Sequence, residues 1–210
     1  MNRKDYILFI IDDEEEIRQS LSLLLKSSGY TVKAFKSIEE FFENNDHSGS
    51  GCILLDVFLG GKTGLELQEE IEGRFECLPV IFITGHGNVP MSVEALKKGA
   101  LNFLQKPVDE TDLLRAIEEA LSRSSMLVAK RNELEKFKSI VNSLTAREYE
   151  IFLYIITGTL NKQIAFELRI SEHTVKNHRI KITEKLGVKS VAEMIYIAEK
   201  LNIKGDAVNY

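Results

Sequence analysis

The first 121 residues alternate short apolar stretches with segments in which apolar residues recur at the spacing of a helix. The apolar stretches predict strands at residues 6–11, 31–35, 52–55, 79–83 and 102–105. Helices are predicted at residues 15–27, 38–44, 65–72, 89–98 and from Asp109 onward. Three of the strands are unbroken apolar runs, which indicates a sheet that is covered on both faces. The repeated strand–helix order predicts an α/β domain with a doubly wound, five-stranded parallel sheet.

No further strands are predicted after residue 121. Residues 122–143 contain Ser, Lys, Arg and Glu but no Pro or Gly, which favours a helical linker that continues the preceding helix. Two short helices at about 161–168 and 172–186 are joined by a tight turn, an arrangement typical of a helix-turn-helix. The sequence therefore predicts an α/β domain at 1–121, a helical linker at 122–143 and a small all-α domain at 144–210.

Charge is distributed unevenly along the chain. Residues 1–121 carry 12 Lys and Arg against 22 Asp and Glu, a net charge of −10, whereas residues 144–210 carry 10 against 8, a net charge of +2. The longest apolar run is far shorter than the ~20 residues of a membrane helix, and acidic residues occur too early for a signal peptide. Cys52 and Cys77 are isolated, so neither a disulfide scaffold nor a structural zinc site is expected. We therefore expect a cytoplasmic protein without a membrane partner.

Polar side chains follow four of the predicted strands. Asp12 and Asp13 follow the first strand, Asp56 the third, Thr84 the fourth and Lys106 the fifth. A strand order of 2-1-3-4-5 places the ends of the first and third strands side by side, where ligands collect in open parallel sheets. Three converging carboxylates repel one another unless a cation such as Mg²⁺ binds them. With a lysine and a hydroxyl beside them, they describe a phosphoryl-transfer site in which an Asp is the nucleophile.

The residues at these strand ends have three alternative interpretations: partners of a helix dipole, a P-loop and a phosphatase site. Asp12 and Asp13 alone could equally be solvated partners of a helix dipole. Gly61-Lys62-Thr63 resembles the end of a P-loop, but the Gly that the motif requires five residues before its second Gly is replaced by Asp56. A phosphatase of the haloacid dehalogenase type needs a second Asp two residues after the nucleophile, and that position is Phe58. The combination at four strand ends therefore favours a phosphoacceptor site.

Several segments of the α/β domain together resemble the receiver domain of two-component response regulators, a flavodoxin-like fold. The matching segments are residues 11–14 (Ile-Asp-Asp-Glu), 55–57 (Leu-Asp-Val), 64–67 (Gly-Leu-Glu-Leu), 82–87 (Phe-Ile-Thr-Gly-His-Gly), 99–100 (Gly-Ala) and 103–107 (Phe-Leu-Gln-Lys-Pro). The stretch 85–107 is most similar to the FixJ branch of the family. The resemblance covers residues 5–121.

The resemblance to receiver domains implies a role for each residue of the acidic edge. It implies that Asp56 is the phosphoacceptor and that Lys106 contacts the phosphoryl group. It also implies that Thr84 and Phe103 form a switch pair and that the Lys106–Pro107 bond is cis. The Mg²⁺ ligands that it implies are Asp12, Asp13, Asp56 and the backbone carbonyl of Phe58.

The helix predicted at 172–186 has one apolar and one basic side. Val175, Ile182 and Leu186 fall on the same side of a helical wheel and are expected to pack inward. Arg179 falls near that packed side, so it is expected either to contact a nucleic-acid backbone or to form an ion pair within the domain. A solvated helix face is the alternative interpretation of the outer, basic side. That outer side carries His173, Lys176, Asn177, Ile180 and Lys181.

The segments 144–148, 161–165, 170–178 and 185–188 resemble the DNA-binding domain of LuxR, NarL and FixJ-type regulators. The resemblance covers about residues 140–204 and implies that the helix at 172–186 is the recognition helix. Ile180 stands where the family often has a polar residue, and its side chain suits a thymine methyl group. The DNA contacts that this resemblance implies are His173, Thr174, Lys176, Asn177, Ile180 and Lys181.

The two resemblances together predict a response regulator and not an enzyme. A sensor histidine kinase is expected to phosphorylate Asp56 with Mg²⁺. Phosphorylation is expected to produce a homodimer through residues 89–98 and 102–105, which binds palindromic half-sites of double-stranded DNA. The predicted last helix carries an apolar stripe of Val191, Ile195, Ala198 and Leu201, interpreted as core or as a second dimer contact. A metal-dependent phosphatase and a phosphorylation-independent scaffold or RNA-binding regulator are the competing functions.

Overall fold

The structure, a computed structural model, describes residues 3–59, 62–63, 68, 70–71, 73–85, 95–97 and 99–205. The chain divides into two compact units, Met1–Ala129 and Lys130–Tyr210. This division falls inside the segment that the sequence predicts as a linker. The predicted linker segment is helical in the structure, because one helix spans Glu110–Asn142 and contributes residues to both units.

A five-stranded parallel sheet forms the centre of the N-terminal unit. Its strand order is β2-β1-β3-β6-β7, which confirms the predicted order, and a separate hairpin of two short strands follows β3. The strands are β1 (Ile7–Ile11), β2 (Thr31–Phe35), β3 (Gly51–Asp56), β4 (Phe58–Leu59), β5 (Lys62–Thr63), β6 (Val80–Thr84) and β7 (Asn102–Gln105).

Most helices have the predicted bounds to within one or two residues. The α-helices whose two ends lie within the described residues are α1 (Glu15–Ser27), α2 (Ile38–Asn44), α3 (Glu110–Asn142), α4 (Ala146–Ile156), α5 (Asn161–Glu167), α6 (Glu172–Leu186) and α7 (Val191–Lys200). Of the helices predicted at 65–72 and 89–98, the described residues 68, 70–71 and 95–97 are helical, and the rest lie outside the described residues. None of the helices in the described part of the chain has the length and hydropathy needed to cross a bilayer.

Side-chain caps explain where several helices begin. Ser37 and Ser171 each accept a hydrogen bond from the backbone N–H three residues later, and Thr145 and Glu148 form a capping box. Gly187 ends α6 in the left-handed conformation, with φ of 64°, which a residue without Cβ adopts at no steric cost. Local sequence signals therefore set the helix ends around the turn.

Alternate residues of the central strands enter two separate cores. Phe9 and Ile11 of β1 pack in a cluster with α2, whereas Leu8 and Ile10 pack in a second cluster with α1 and α3. The strands β3 and β6 alternate in the same way and are buried along their whole length. The unbroken apolar runs are thus explained by helices on both faces of the sheet, as predicted.

A buried serine fastens α3 to one end of the sheet. The Ser124 hydroxyl accepts a hydrogen bond from the Gly51 N–H at 3.0 Å and donates to the Cys77 carbonyl at 2.5 Å. Ser124 is fully buried. A buried backbone donor or acceptor without a partner costs about 1–3 kcal/mol. This hydroxyl therefore stabilises both the start of β3 at Gly51 and the turn at Cys77.

The C-terminal unit has its own apolar core. Val175, Ile182 and Leu186 of α6 are buried in it, as the helical wheel predicts. In α7, however, the buried residues are Met194, Ile197 and Ala198. The predicted stripe is therefore only partly right: Ala198 is buried and Val191 and Leu201 pack against the core, but Ile195 belongs to neither group.

Candidate functional site

Three carboxylates meet at the carboxyl end of the sheet. Asp12 follows β1 directly, and Asp56 is the last residue of the neighbouring β3. Asp12, Asp13 and Asp56 each offer an oxygen atom, and these oxygens lie within 4.8 Å of one another. Asp12 and Asp56 are buried, with 2% and 6% of their surface exposed, whereas Asp13 is exposed. The strand order thus brings together the acidic residues that the sequence singled out.

Lys106 neutralises part of this negative charge. Its Nζ lies 2.7 Å from Asp12 Oδ2 and 2.6 Å from Asp56 Oδ2, and a weaker contact of 3.3 Å reaches Glu14 Oε1. Lys106 follows β7, the edge strand, and its peptide bond to Pro107 is cis, as expected. Its ammonium group therefore joins the ends of β1 and β3 to the end of β7.

The electrostatics of the cluster show an excess of negative charge. Burial raises the pKa of Asp12 above its ordinary value, although the hydrogen bond from Lys106 acts in the opposite direction. Burial alone would lower the pKa of Lys106, but its hydrogen bonds to Asp12 and Asp56 outweigh that effect and raise it. One ammonium group remains charged beside more carboxylates than it can neutralise.

Arg18 is a part of this site that the sequence reasoning missed. Its Nη1 donates to the backbone carbonyl of Asp12 at 2.7 Å, and its Nη2 pairs with Glu15. The Glu14 N–H donates to Asp12 Oδ1 at 2.9 Å, so the loop after β1 is held from two sides. Arg18 lies six residues after Asp12, on the first turns of α1, and no local sequence pattern indicates that its side chain reaches that carbonyl.

The two residues predicted as a switch pair lie on neighbouring strands of the sheet, Thr84 on β6 and Phe103 on β7. Thr84 is fully buried at the end of β6, and its carbonyl accepts a hydrogen bond of 2.7 Å from the Lys106 N–H. Phe103 of β7 is half-buried and packs against Phe82, with ring centroids 6.4 Å apart. In the pairing of β6 with β7, Phe82 lies opposite Phe103 and Thr84 lies opposite Gln105, so the switch pair is on neighbouring strands beside the acidic cluster.

Phe58, the first residue of β4, contacts Asp56 through its backbone. The Phe58 N–H donates to Asp56 Oδ1 at 3.0 Å, so the two carboxylate oxygens of Asp56 contact different groups. The Phe58 side chain is 45% exposed. It occupies the position at which a haloacid dehalogenase would carry its acid, and a phenyl ring cannot donate a proton to a leaving group.

The donor set fits a small, hard cation. Mg²⁺ prefers oxygen ligands and is commonly bound by one or two carboxylates together with water. Asp12, Asp13 and Asp56 supply carboxylate oxygens close to one another, two of them from buried residues. The excess of negative charge around Lys106 favours a second cation at the same place. The residues present therefore suit a divalent metal ion.

The second candidate surface is the outer side of α6. His173, Lys176, Asn177 and Lys181 are exposed there, and Ile180 is 57% exposed. The apolar side chain of Ile180 is therefore largely open to solvent, on the outer side of the helix where the sequence predicts it. Of the predicted contact residues on α6, only Thr174 is half-buried, and its hydroxyl lies 2.8 Å from that of Ser171.

Two further residues of α6 point away from that outer side. His178 is half-buried, with its Nδ1 shielded from solvent. Arg179 is half-buried as well, and burial lowers its pKa. Arg179 forms no ion pair with any residue in the described ranges, so one of its two predicted roles, the ion pair within the domain, is not observed.

Known proteins match both units of the chain. Residues 8–118 match the response regulator receiver domain, and residues 142–198 match the bacterial regulatory proteins of the luxR family. The chain belongs to the response regulators with a luxR-type DNA-binding domain. This response regulator is a transcription regulator, and its family is not enzymatic.

Relatives of this response regulator align with it along most of their length. The response regulator protein TmoT of Ectopseudomonas mendocina is 38% identical over 201 residues, 96% of this chain and 91% of TmoT. The transcriptional regulatory protein FixJ of Rhizobium meliloti is 34% identical over 194 residues, 92% of this chain and 95% of FixJ. The solved structure of the response regulator StyR has a TM-score of 0.81 at 39% identity, and covers 93% of this chain and 99% of StyR.

Proposed function

We propose that this response regulator is switched by phosphorylation of Asp56 and then binds duplex DNA as a dimer. The observation that carries this proposal is the convergence of three carboxylates and one ammonium group at the carboxyl end of the sheet. The receiver and luxR-type domains imply a histidine kinase and DNA as the partners.

Asp56 is suited to act as the nucleophile in phosphoryl transfer. In the reaction, a bond forms between a carboxylate oxygen of Asp56 and phosphorus while the phosphorus–nitrogen bond of the kinase phosphohistidine breaks. Lys106 already touches Asp56 Oδ2 at 2.6 Å, so its ammonium can remain beside the oxygens that gain charge. Asp12, Asp13, Asp56 and the Phe58 carbonyl would hold Mg²⁺, which when bound supplies further positive charge for the phosphoryl oxygens.

The new phosphoryl group would change the balance of contacts at the sheet edge. Its oxygens would compete with Asp12 for Lys106 and would attract the Thr84 hydroxyl. Because Lys106 is hydrogen-bonded to the Thr84 carbonyl, a shift of either residue would reach the adjacent strand that carries Phe103. The change favours an active arrangement only as far as the phosphoryl group binds it more strongly than the inactive one.

The outer side of α6 is the proposed DNA-reading surface. Lys176 and Lys181 are exposed cations suited to phosphate or guanine, and Asn177 can pair with adenine in the major groove. Ile180 offers an apolar contact to a thymine methyl group. A dimer, formed through residues 89–98 and 102–105, would place two such helices on palindromic half-sites roughly one helical turn apart. Of that dimer surface, residues 89–94 and 98 lie outside the described residues.

Gel filtration with light scattering tests the proposal, with and without acetyl phosphate and Mg²⁺. The same samples are tested for binding to genomic duplex fragments and to single-stranded RNA. We expect the phosphodonor to produce a dimer that binds duplex DNA, and Asp56→Asn to remain monomeric. Asp46→Asn is the matched control, because Asp46 is an exposed aspartate of the same unit.

Each alternative function predicts a different result. Equal behaviour of the wild type and Asp56→Asn in the presence of phosphodonor would refute the switch. Preference for single-stranded RNA would refute the role assigned to α6.

A further inference from the structure

The peptide group between Asp12 and Asp13 is held by a side chain from outside the acidic cluster. Arg18 reaches it from α1 and donates from Nη1 to the Asp12 carbonyl at 2.7 Å. Hydrogen bonds from a charged donor are roughly twice as strong as those between neutral groups. Only 13% of the Arg18 side chain is exposed, so little water competes for this contact. The backbone that leads into Asp13 is therefore fixed by a residue that offers no ligand to a metal ion.

Asp13 depends on this backbone contact more than the other two carboxylates do. Its carboxylate is exposed and forms no hydrogen bond or ion pair within the part of the chain that the structure describes. The carboxylates of Asp12 and Asp56, by contrast, are each held by Lys106 and by a backbone N–H. Of the three carboxylates in the cluster, that of Asp13 is thus placed by the backbone alone.

Arg18 is itself anchored at both ends of its side chain. It belongs to α1, a helix that is packed on the sheet through the buried Leu25. Its second guanidinium nitrogen, Nη2, pairs with Glu15 one turn earlier on the same helix. A guanidinium fork that holds two acceptors has a fixed orientation. A metal ligand must be held within about 0.5 Å of its productive position, and a packed helix does this better than a loop.

We infer that Arg18 is a positioning residue of the proposed Mg²⁺ site, where it fixes the Asp13 carboxylate through the Asp12 carbonyl. This inference rests on the proposed phosphorylation of Asp56 with Mg²⁺ and adds a residue to it. The positive charge of Arg18 by itself opposes another cation nearby. Position and charge therefore predict opposite effects of its removal. Loss of the charge alone would strengthen Mg²⁺ binding, whereas loss of the hydrogen bond weakens it.

The dependence of Tm on MgCl₂ concentration measures this effect without any reaction taking place. The full chain is melted by differential scanning calorimetry at constant ionic strength, from EDTA up to a saturating concentration of MgCl₂. The rise in the Tm of the N-terminal unit gives the affinity for Mg²⁺. Residues that hold metal ligands in place typically contribute about 10–100-fold to metal affinity. We expect Arg18→Gln to need roughly tenfold more MgCl₂ than the wild type for the same fraction of the rise.

Two further variants separate position from charge. Arg18→Lys keeps the charge but replaces the fork by a single ammonium group, so its affinity for Mg²⁺ should lie between those of Arg18→Gln and the wild type. Arg115→Gln is the matched control, because Arg115 is exposed and pairs with an acidic residue three positions earlier, as Arg18 does. Its affinity for Mg²⁺ should equal that of the wild type.

The rate of phosphorylation by acetyl phosphate gives an independent readout. Arg18→Gln leaves Asp56, Lys106 and Thr84 unchanged, so its maximal rate at saturating Mg²⁺ should stay near that of the wild type. The Mg²⁺ concentration that gives half of this rate should rise about tenfold, as in the melting experiment. A lower Tm in EDTA with an unchanged affinity for Mg²⁺ would mean that Arg18 only stabilises the fold, and would overturn the inference.

The outcomes separate this inference from the proposed function. A wild type whose Tm does not respond to MgCl₂, and which acetyl phosphate does not phosphorylate, would overturn the proposed function and the role of Arg18 with it. A wild type that does both, beside an Arg18→Gln that binds Mg²⁺ equally well or more tightly, would overturn the role of Arg18 alone. If Arg18→Gln does not fold, Arg18→Lys must bind Mg²⁺ more weakly than Arg115→Gln, and equal affinities would refute the inference.

Discussion

Replacing Lys106 by methionine should destabilise the N-terminal unit strongly, because it removes the cation that lies between two buried carboxylates. The side chains involved are 13% exposed for Lys106, 3% for Asp12 and 7% for Asp56. Breaking a buried ion pair by removing one partner costs about 3–5 kcal/mol. Since the ammonium retains some contact with water, we expect the lower end of that range, about 3 kcal/mol. For a unit of this size the loss corresponds to a fall in Tm of about 10 °C.

Differential scanning calorimetry of the full chain in EDTA measures this loss, with Lys36→Met as the control, because Lys36 is exposed and lies in the same unit. Added MgCl₂ should restore much of the lost stability in Lys106→Met, because a divalent cation can take over the neutralising role. Equal Tm values for Lys106→Met and Lys36→Met in EDTA would refute the view that Lys106 offsets the repulsion between the carboxylates of Asp12 and Asp56.

The pH dependence of Lys106→Met gives a second check of the same reasoning. Burial already raises the pKa of Asp12 above its unfolded value, and without the ammonium group the repulsion from Asp56 is no longer offset and raises it further. A raised carboxyl pKa contributes stability below the unfolded pKa that is lost as pH rises through the folded one. The destabilisation should therefore be larger at neutral pH than near pH ~4. A penalty that is independent of pH would mean that packing of the lysine stem, and not charge, is responsible.

Three further predictions concern other parts of the molecule. Ser124→Ala leaves a backbone donor and a backbone carbonyl without their shared partner, so urea unfolding should show a loss of about 2 kcal/mol, against less than about 1 kcal/mol for Ser125→Ala. Asp12→Asn removes a buried carboxyl whose pKa burial has raised, so in EDTA at neutral pH it should raise the urea midpoint of the N-terminal unit, and an unchanged or lower midpoint would contradict this. The hydrogen bond from Lys185 lowers the pKa of Glu148 to about 2. The stabilisation that ionised Glu148 gives the C-terminal unit is therefore complete above the ordinary glutamate pKa and is lost as pH falls toward 2. Circular dichroism should accordingly show the unfolding free energies of Glu148→Gln and the wild type converging in acid.

Sequence patterns predicted the regular elements closely where burial and caps agree. The bounds of α1, α2, β2 and β7 match the prediction, because apolar spacing, an N-terminal cap or a following glycine marks each end. The strand order also followed from the sequence, since polar residues at strand ends have a reason to converge only in that order. Two-residue strands have no periodicity, and for this reason the hairpin of β4 and β5 was not predicted.

Contacts between distant parts of the chain were harder to predict. Nothing in the local pattern around Arg18 shows that its side chain reaches the carbonyl of Asp12, because the direction of a side chain depends on how α1 packs on the sheet. The same applies to Arg179, for which the helical wheel left two partners open and the described residues show no ion pair. The acidic cluster was predictable because its members come from strand ends, where topology fixes their position.

The hydrogen bonds of Ser124 determine where the chain can be truncated to give a stable isolated receiver. The match to the receiver family ends at residue 118, and the predicted domain ends at residue 121. The Ser124 hydroxyl, which contacts the start of β3 and the turn at Cys77, comes later in the same helix. A truncated receiver that stops at either point would lose this fastening and expose an amide and a carbonyl to solvent. A stable isolated receiver should therefore extend at least through Ala129, where the compact unit ends.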